Sequence, residues 1–266
     1  MDKETKSLVI MAVAVLTVFG AAYAGIVMYS GTSSPFYTVE SGSMMHSDNS
    51  KIGIVDTGDM VIIKSPSKAG IVTYAEGHRT GYQKFGSYGD VILYERPGSI
   101  AVIHRAIFYA GYNGDGTWDV SSLFGYGGDW DLNGIPGDTL AADDLKSVNG
   151  VLSFENFGHT GNKAFAVNLD NLSPKVSGYI TMGDNNKEPD QTNGISAGAI
   201  DDGRIVGVAA IEVPWLGCIK LILLGNGSER IPGNSVIMLV MSFLLLIASI
   251  FVLNFVYERY IKKREE

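Results

Sequence analysis

Three short stretches of the chain hold side chains of the types that perform nucleophilic catalysis. "SGSM" (Ser41 to Met44) places two hydroxyls around a glycine, "AVIHRAI" carries His104, and "MGDNNKEPD" carries Asp184 and Asp190, six residues apart. A serine hydroxyl is a weak nucleophile until a positioned base takes its proton. His104 is the candidate base, because its apolar neighbours predict a half-buried strand that fixes the ring; the bland alternative is a packed core histidine. A carboxylate against the imidazole would select its tautomer and stabilise the imidazolium, and either Asp184 or Asp190 could supply it. Taken alone, the acidic loop also reads as a polar turn; as a calcium loop it lacks the closing Glu. Lys64 and Lys84 compete poorly as bases, since each would have to be desolvated to become neutral. His46, His78, His104 and His159 show no ligand spacing, so neither metal nor cofactor is expected.

Two apolar runs bracket these stretches. Leu8 to Met28 is 21 residues without a charge, and Val236 to Val256 is another 21. At 1.5 Å per residue each spans the roughly 30 Å of bilayer hydrocarbon, so both are expected to be transmembrane helices. Lys3, Lys6 and the exit Ala22-Tyr23-Ala24 also fit a cleavable secretory signal, but the run exceeds the ~7–15 residues of a signal core, which favours a retained anchor. Arg259, Lys262, Lys263 and Arg264 follow the second run, whereas Tyr29 to Tyr37 holds no Lys or Arg. The positive-inside rule then puts both termini in the cytoplasm and residues 29 to 234 outside. That outer part carries 14 Lys+Arg and 23 Asp+Glu, a net of −9, which excludes nucleic acid as a partner. The single cysteine, Cys218, rules out an intramolecular disulfide and is expected to be packed.

Between the runs lie short β-branched and aromatic segments punctuated by glycine and proline, among them "MVIIK" (60–64), "VILYE" (91–95), "IAVIHRAIFYA" (100–110), "GYITM" (178–182) and "RIVGVAAIEV" (204–213). They predict a mostly-β extracytoplasmic domain, a coiled sheet or barrel-like body. Gly111 to Thr160 differs, with ten glycines, seven aromatics and eight acids against one base, Lys146. A structureless loop of that length is improbable, so a small β-rich insertion is expected. The resulting organisation is a cytoplasmic N-terminus (1–7), an anchor (8–28), a β domain in two parts (29–110 and 161–234) around the insertion (111–160), a second transmembrane helix (235–257) and a basic cytoplasmic tail (258–266). Within the second part, "VPWLGCIKLILLG" (213–225) is too short to span a bilayer and reads as a membrane-surface segment or a buried strand. Asn226-Gly227-Ser228 is a glycosylation acceptor pattern; Asn171-Leu172-Ser173 is another, followed unfavourably by Pro174.

The combination resembles the type I signal peptidases, specifically their Ser-His-Asp branch found in archaea and in the endoplasmic reticulum. The likeness rests on "SGSM" shortly after an N-terminal apolar run, then "TGDMVIIK" (57–64), "GDVILYE" (89–95), "IHRAI" (103–107), "GDNNKEPD" (183–190) and "GRIVGVA" (203–209), in family order. Bacterial enzymes of the family carry a lysine where His104 falls. The resemblance implies a membrane-bound serine endopeptidase without cofactor that cuts signal peptides from exported precursors after small-x-small sites. It assigns Ser43 as nucleophile, His104 as general base, Asp190 as orienting acid and Asp184 as a second required carboxylate. The Ser43 N–H and the Ser41 hydroxyl would form the oxyanion hole, with Gly42 permitting the close approach. Precursors, lipid and the export channel would be its partners.

Family members usually place a proline two residues after "SGSM", where this chain has Met45-His46, and the insertion lengthens the gap from His104 to Asp184. Met44 and the valines and isoleucines of 60–63 and 100–103 are candidates for lining the pockets that select small side chains. Two other classes of function compete. One is a catalytically inactive membrane-anchored binding or scaffold subunit using the insertion as its contact surface; the other is an ion-binding β domain.

Overall fold

The computed structural model describes residues 2–225, 228–256 and 259. The acceptor pattern at Asn226 and the basic tail 258–266, Arg259 aside, lie outside the described residues.

The first apolar run forms helix α1 (Lys3–Ser30), longer at both ends than the 8–28 read from hydropathy. The Asp2 carboxylate accepts the Thr5 N–H at its start, and Gly31, at φ 75°, ends it in a left-handed cap that L side chains disfavour. Its last turn is fastened to the β domain. The Ser30 hydroxyl donates to the Ile63 carbonyl at 2.5 Å, and Lys68 Nζ donates to the Met28 carbonyl at 2.6 Å. The second run forms a C-terminal helix (Gly233–Val256) whose first turn is held by Asn234, which exchanges two hydrogen bonds with the Ser50 backbone. Both helices are long and apolar enough to cross a membrane, and neither span is buried against the protein. Side chains such as Leu16, Phe19, Leu245 and Phe251 stand open along them, an apolar surface compatible with contact to lipid.

Among the described residues thirteen strands follow α1: β1 (Phe36–Thr38), β2 (Met60–Lys64), β3 (Gln83–Lys84), β4 (Ser87–Tyr88), β5 (Val91–Tyr94), β6 (Val102–Tyr112), β7 (Trp118–Asp119), β8 (Asp129–Leu132), β9 (Ile135–Pro136), β10 (Val151–Phe157), β11 (Lys163–Asn168), β12 (Gly178–Met182) and β13 (Ile205–Val213). The main sheet runs β1-β2-β13-β5-β6-β12 with every pair antiparallel, and β7 adds to the far end of β6. β1 and β12 remain its two edges. The sheet therefore stays open, and the barrel-like alternative is corrected.

Successive residues of a strand project to opposite faces. Val61, Ile63, Val91 and Leu93 bury one face together with Val39 and Met44, whereas Ile92, Tyr94, Ala106 and Val208 bury the other. Each such aliphatic side chain contributes on the order of 1.5–3 kcal/mol when fully buried.

The insertion is a second antiparallel sheet, ordered β11-β10-β8-β9. It takes in β11, so it extends past residue 160, the boundary drawn from composition. Its aromatic face packs on β6: Phe154 lies 5.8 Å from Phe108 of β6 and 4.9 Å from Phe165. Trp118, Leu152 and Phe154 share one buried cluster with Phe108, Ile180 and Met182 of the main sheet. The insertion is thus part of a common core rather than a separate lobe.

Beyond Val213, which ends β13, segment 213–225 is neither strand nor wholly buried. It turns at Trp215, whose ring N–H donates to the Ser50 hydroxyl at 2.9 Å, and becomes a short helix (Cys218–Leu224). Cys218 and Leu221 point inward while Ile219, Ile222, Leu223 and Leu224 are exposed, which removes the buried-strand alternative.

Candidate active site

Ser43 sits in a single tight turn (Gly42–Met44) between β1 and the loop leading to β2. The Ser41 side chain makes no capping bond to that turn; its hydroxyl instead stands 3.2 Å from Ser43 Oγ. The turn is held from across the sheet. The Asn185 N–H donates to the Ser43 carbonyl at 2.7 Å, and the Asn185 side chain donates to the Gly42 carbonyl at 2.9 Å. Glycine is indispensable at Gly183, where a Cβ would stand 2.6 Å from the Ser43 carbonyl oxygen and 2.9 Å from His104 Nε2. Gly42 is the weaker requirement, since a Cβ there meets only the flexible Met45 thioether at 3.1 Å. The close approach read into Gly42 belongs to Gly183.

His104 lies near the start of β6, paired with Ile92 of β5, and is 2% exposed. Its Nε2 is 2.9 Å from Ser43 Oγ. Its Nδ1 is 2.8 and 2.7 Å from the two carboxylate oxygens of Asp190. With Nδ1–H donated to that carboxylate, Nε2 is left as the acceptor facing the hydroxyl. Asp190 is fully enclosed and also accepts the Tyr94 hydroxyl at 2.7 Å and the Thr181 hydroxyl at 2.6 Å. Burial, and then the Asp190 charge, push the Tyr94 phenol far above its ordinary value, so it stays protonated and donating.

Asp184 goes elsewhere. Arg105 follows His104 on β6 and therefore projects to the opposite face. Its Nε and one terminal nitrogen clamp the two Asp184 oxygens at 2.7 and 2.5 Å. Its other terminal nitrogen donates to the Lys84 and Gly89 carbonyls at 3.0 and 2.8 Å. His46 Nε2 is 2.9 Å from Asp184 Oδ2. Burial alone would raise the Asp184 pKa, but the Arg105 charge and its hydrogen bonds outweigh this and hold the carboxyl well below the usual range. Of the two aspartates, Asp190 is the one that reaches the imidazole.

A groove of about 1080 Å³ opens over Ser43 and His104, lined by Tyr37, Val61, Leu93, Ile103 and Asn186 and reaching Lys220 and Arg230. Met44 is not among its walls; it is 1% exposed and packed in the core. Of residues 60–63, only Val61 contributes, whereas Ile100, Val102 and Ile103 all do. Lys84 packs against Asp90 at 3.9 Å rather than against the serine, and burial lowers its pKa. Among the described residues no group of three or more His, Cys, Asp or Glu side chains is placed to hold a metal ion.

Tyr94, Thr181, Arg105 and Asn185 lie inside the quoted motifs but carry no assigned role in the sequence reading. The adjacency of Arg105 to His104 was the one available signal, since neighbours on a strand serve opposite faces. Nothing along the chain links Tyr94 to Asp190, 96 positions away.

Comparison with models of known protein families and with curated proteins finds no match for this chain.

Proposed function

We propose that the chain is a membrane-bound serine endopeptidase of the type I signal peptidase kind, Ser-His-Asp branch, acting on signal-peptide-bearing precursors. The observation that carries this reading is the continuous relay from Ser43 Oγ through His104 to Asp190, with contacts of 2.9 and 2.7 Å, at the floor of an open groove.

In this mechanism Ser43 Oγ attacks the scissile carbonyl carbon while its proton passes to His104 Nε2. Asp190 holds the ring and stabilises the imidazolium. The oxyanion is received by the Ser43 N–H and the Ser41 hydroxyl. His104 then protonates the leaving amine, and the acyl-enzyme is released when water, deprotonated by His104, attacks the ester carbonyl.

An extended substrate would lie along the groove, pairing with the free edge at β1. Val61, Leu93 and Ile103 would favour small apolar side chains next to the cut. The two unburied apolar helices would anchor the domain outside the cytoplasm with both termini inside. The exposed apolar side of Cys218–Leu224 would rest on the lipid surface where a precursor emerges. The test is to incubate the full chain in detergent with a precursor bearing an Ala-x-Ala exit. A product shortened at that site is expected, and it should vanish in Ser43→Ala. Sequencing the N-terminus of the purified chain checks the anchor, since a start at Gly25 would mean that the first helix had been removed.

A further inference from the structure

The hairpin between β10 and β11 carries the insertion to the nucleophile turn. Its tip holds His159, and the first residue of β11 is Lys163. The His159 ring stacks on the His46 ring with centroids 3.7 Å apart and planes 2° from parallel. Lys163 Nζ donates to the Asp184 backbone carbonyl. Gly86 also crowds His46, since a Cβ there would stand 3.0 Å from the ring. His46 comes three residues after Ser43, and its Nε2 is bound to Asp184. Asp184 immediately precedes Asn185, whose main chain and side chain hold the Ser43 and Gly42 carbonyls.

Two strands of contact therefore run from the insertion to Ser43. One passes through His159, His46 and the turn exit, the other through Lys163, Asp184 and Asn185. Chain exit from the turn at Met45 is extended and has no proline to restrict it. We infer that the insertion is a positioning element for the nucleophile, with His159 and Lys163 as positioning residues that act through His46 and Asp184 to keep Ser43 Oγ within reach of His104. The His46–His159 stack supplies the rigidity that the turn's own sequence lacks. Among the described residues His159 Nδ1 is buried without a hydrogen-bond partner, so the ring contributes its flat face rather than a hydrogen bond at that atom. Burial, and then the nearby His46, lower the His159 pKa, which favours the uncharged ring in the stack.

This inference rests on Ser43 being the nucleophile, and the experiment separates the two. In the full chain in detergent, kcat and KM for a precursor peptide are measured beside the rate at which a fluorophosphonate labels Ser43, with thermal melting as a check on folding. His159→Ala should lower kcat and the labelling rate together by about tenfold to a hundredfold, with KM little changed, as expected for a displaced reacting atom. His159→Phe, which keeps a flat ring, should restore both. Lys163→Met, which removes the second route without opening a cavity, should give a smaller loss of the same kind and stands in if His159→Ala does not fold. Unchanged labelling and kcat in His159→Ala or in Lys163→Met, or a Phe variant as slow as the Ala variant, would overturn the inference. A wild-type chain that neither labels nor cleaves would instead refute Ser43 as nucleophile, and the inference would go with it.

Discussion

The molecule contains two histidine–aspartate pairs of nearly equal length, His104–Asp190 at 2.7 Å and His46–Asp184 at 2.9 Å, and they are built for different work. The Asp190 carboxylate is bonded by neutral donors, the Tyr94 and Thr181 hydroxyls, besides the imidazole. In the proposed mechanism its negative charge would stabilise a proton arriving on His104. The Asp184 charge is already taken by the Arg105 fork, so His46 adds a hydrogen bond to a neutralised site. Under the proposed function, the carboxylate with neutral partners would serve the chemistry, and the one that the Arg105 guanidinium reaches would serve the architecture. The strand sets the difference: consecutive residues of β6 face opposite sides, so His104 and Arg105 must each find a separate aspartate.

The largest expected effect lies on the first pair. Ser43→Ala and His104→Ala should each reduce precursor cleavage by about 10⁶-fold, and Asp190→Asn by about 10⁴-fold through loss of the tautomer, with melting temperature little moved. Turnover retained in Ser43→Ala would break the comparison at its root. On the second pair the loss should fall chiefly on stability, with a smaller loss of kcat through displacement of Ser43. Asp184→Asn leaves the Arg105 guanidinium buried without its counter-charge, at a cost of about 3–5 kcal/mol read from denaturant unfolding. An Asp184→Asn protein as stable as wild type but catalytically dead would show that Asp184 belongs to the chemistry instead.

A pH titration of stability sharpens the same contrast. The Asp184 pKa is depressed by Arg105, so its stabilisation is complete above the unfolded value of about 3.8 and is lost as pH falls below it. Asp59 and Glu212 have no such cation. Burial pushes them up to about 7 and about 8, so the folded state holds protons that the unfolded state releases, and stability falls as pH rises from about 4 to about 8. Melting temperature should therefore decline from mildly acid to mildly alkaline pH, and Asp59→Asn should flatten the decline. A rise over that range would contradict the assignment. The smallest effect is on selection: Ile103→Ala should widen the groove beside Ser43 and relax discrimination against one larger side chain by roughly tenfold. Equal discrimination by the two proteins, measured on peptides differing at that residue alone, would remove Ile103 from the pocket.

Much of the site was legible because each member sits in a short segment with its own physical signature. A polar "SGSM" beside an apolar run, a histidine inside a β-branched stretch, and an acid-rich turn after a strand can each be recognised locally. Met44 misled because the apolar residue next to a nucleophile turn can face either the groove or the core, and alternation is undefined in a three-residue turn. The open edge of the sheet was equally unreadable, since strand-forming patterns say what pairs but not whether the last strand meets the first. The insertion boundary slipped past residue 160 because β11 has ordinary composition and joins β10 only through pairing.

Sequence by itself determined the two long apolar helices, the β character of the region between them, the absence of an intramolecular disulfide and the set of groups able to do chemistry. These follow from local periodicity, composition and counting. Tertiary structure alone decided that Asp190 rather than Asp184 meets His104, that Arg105 claims the other carboxylate, and that His159 of the insertion rests on His46. Those choices depend on contacts between residues 79 to 138 positions apart for Asp184 and 86 apart for Asp190. The side a side chain faces is set by strand alternation, but what waits there is set by how distant segments pack.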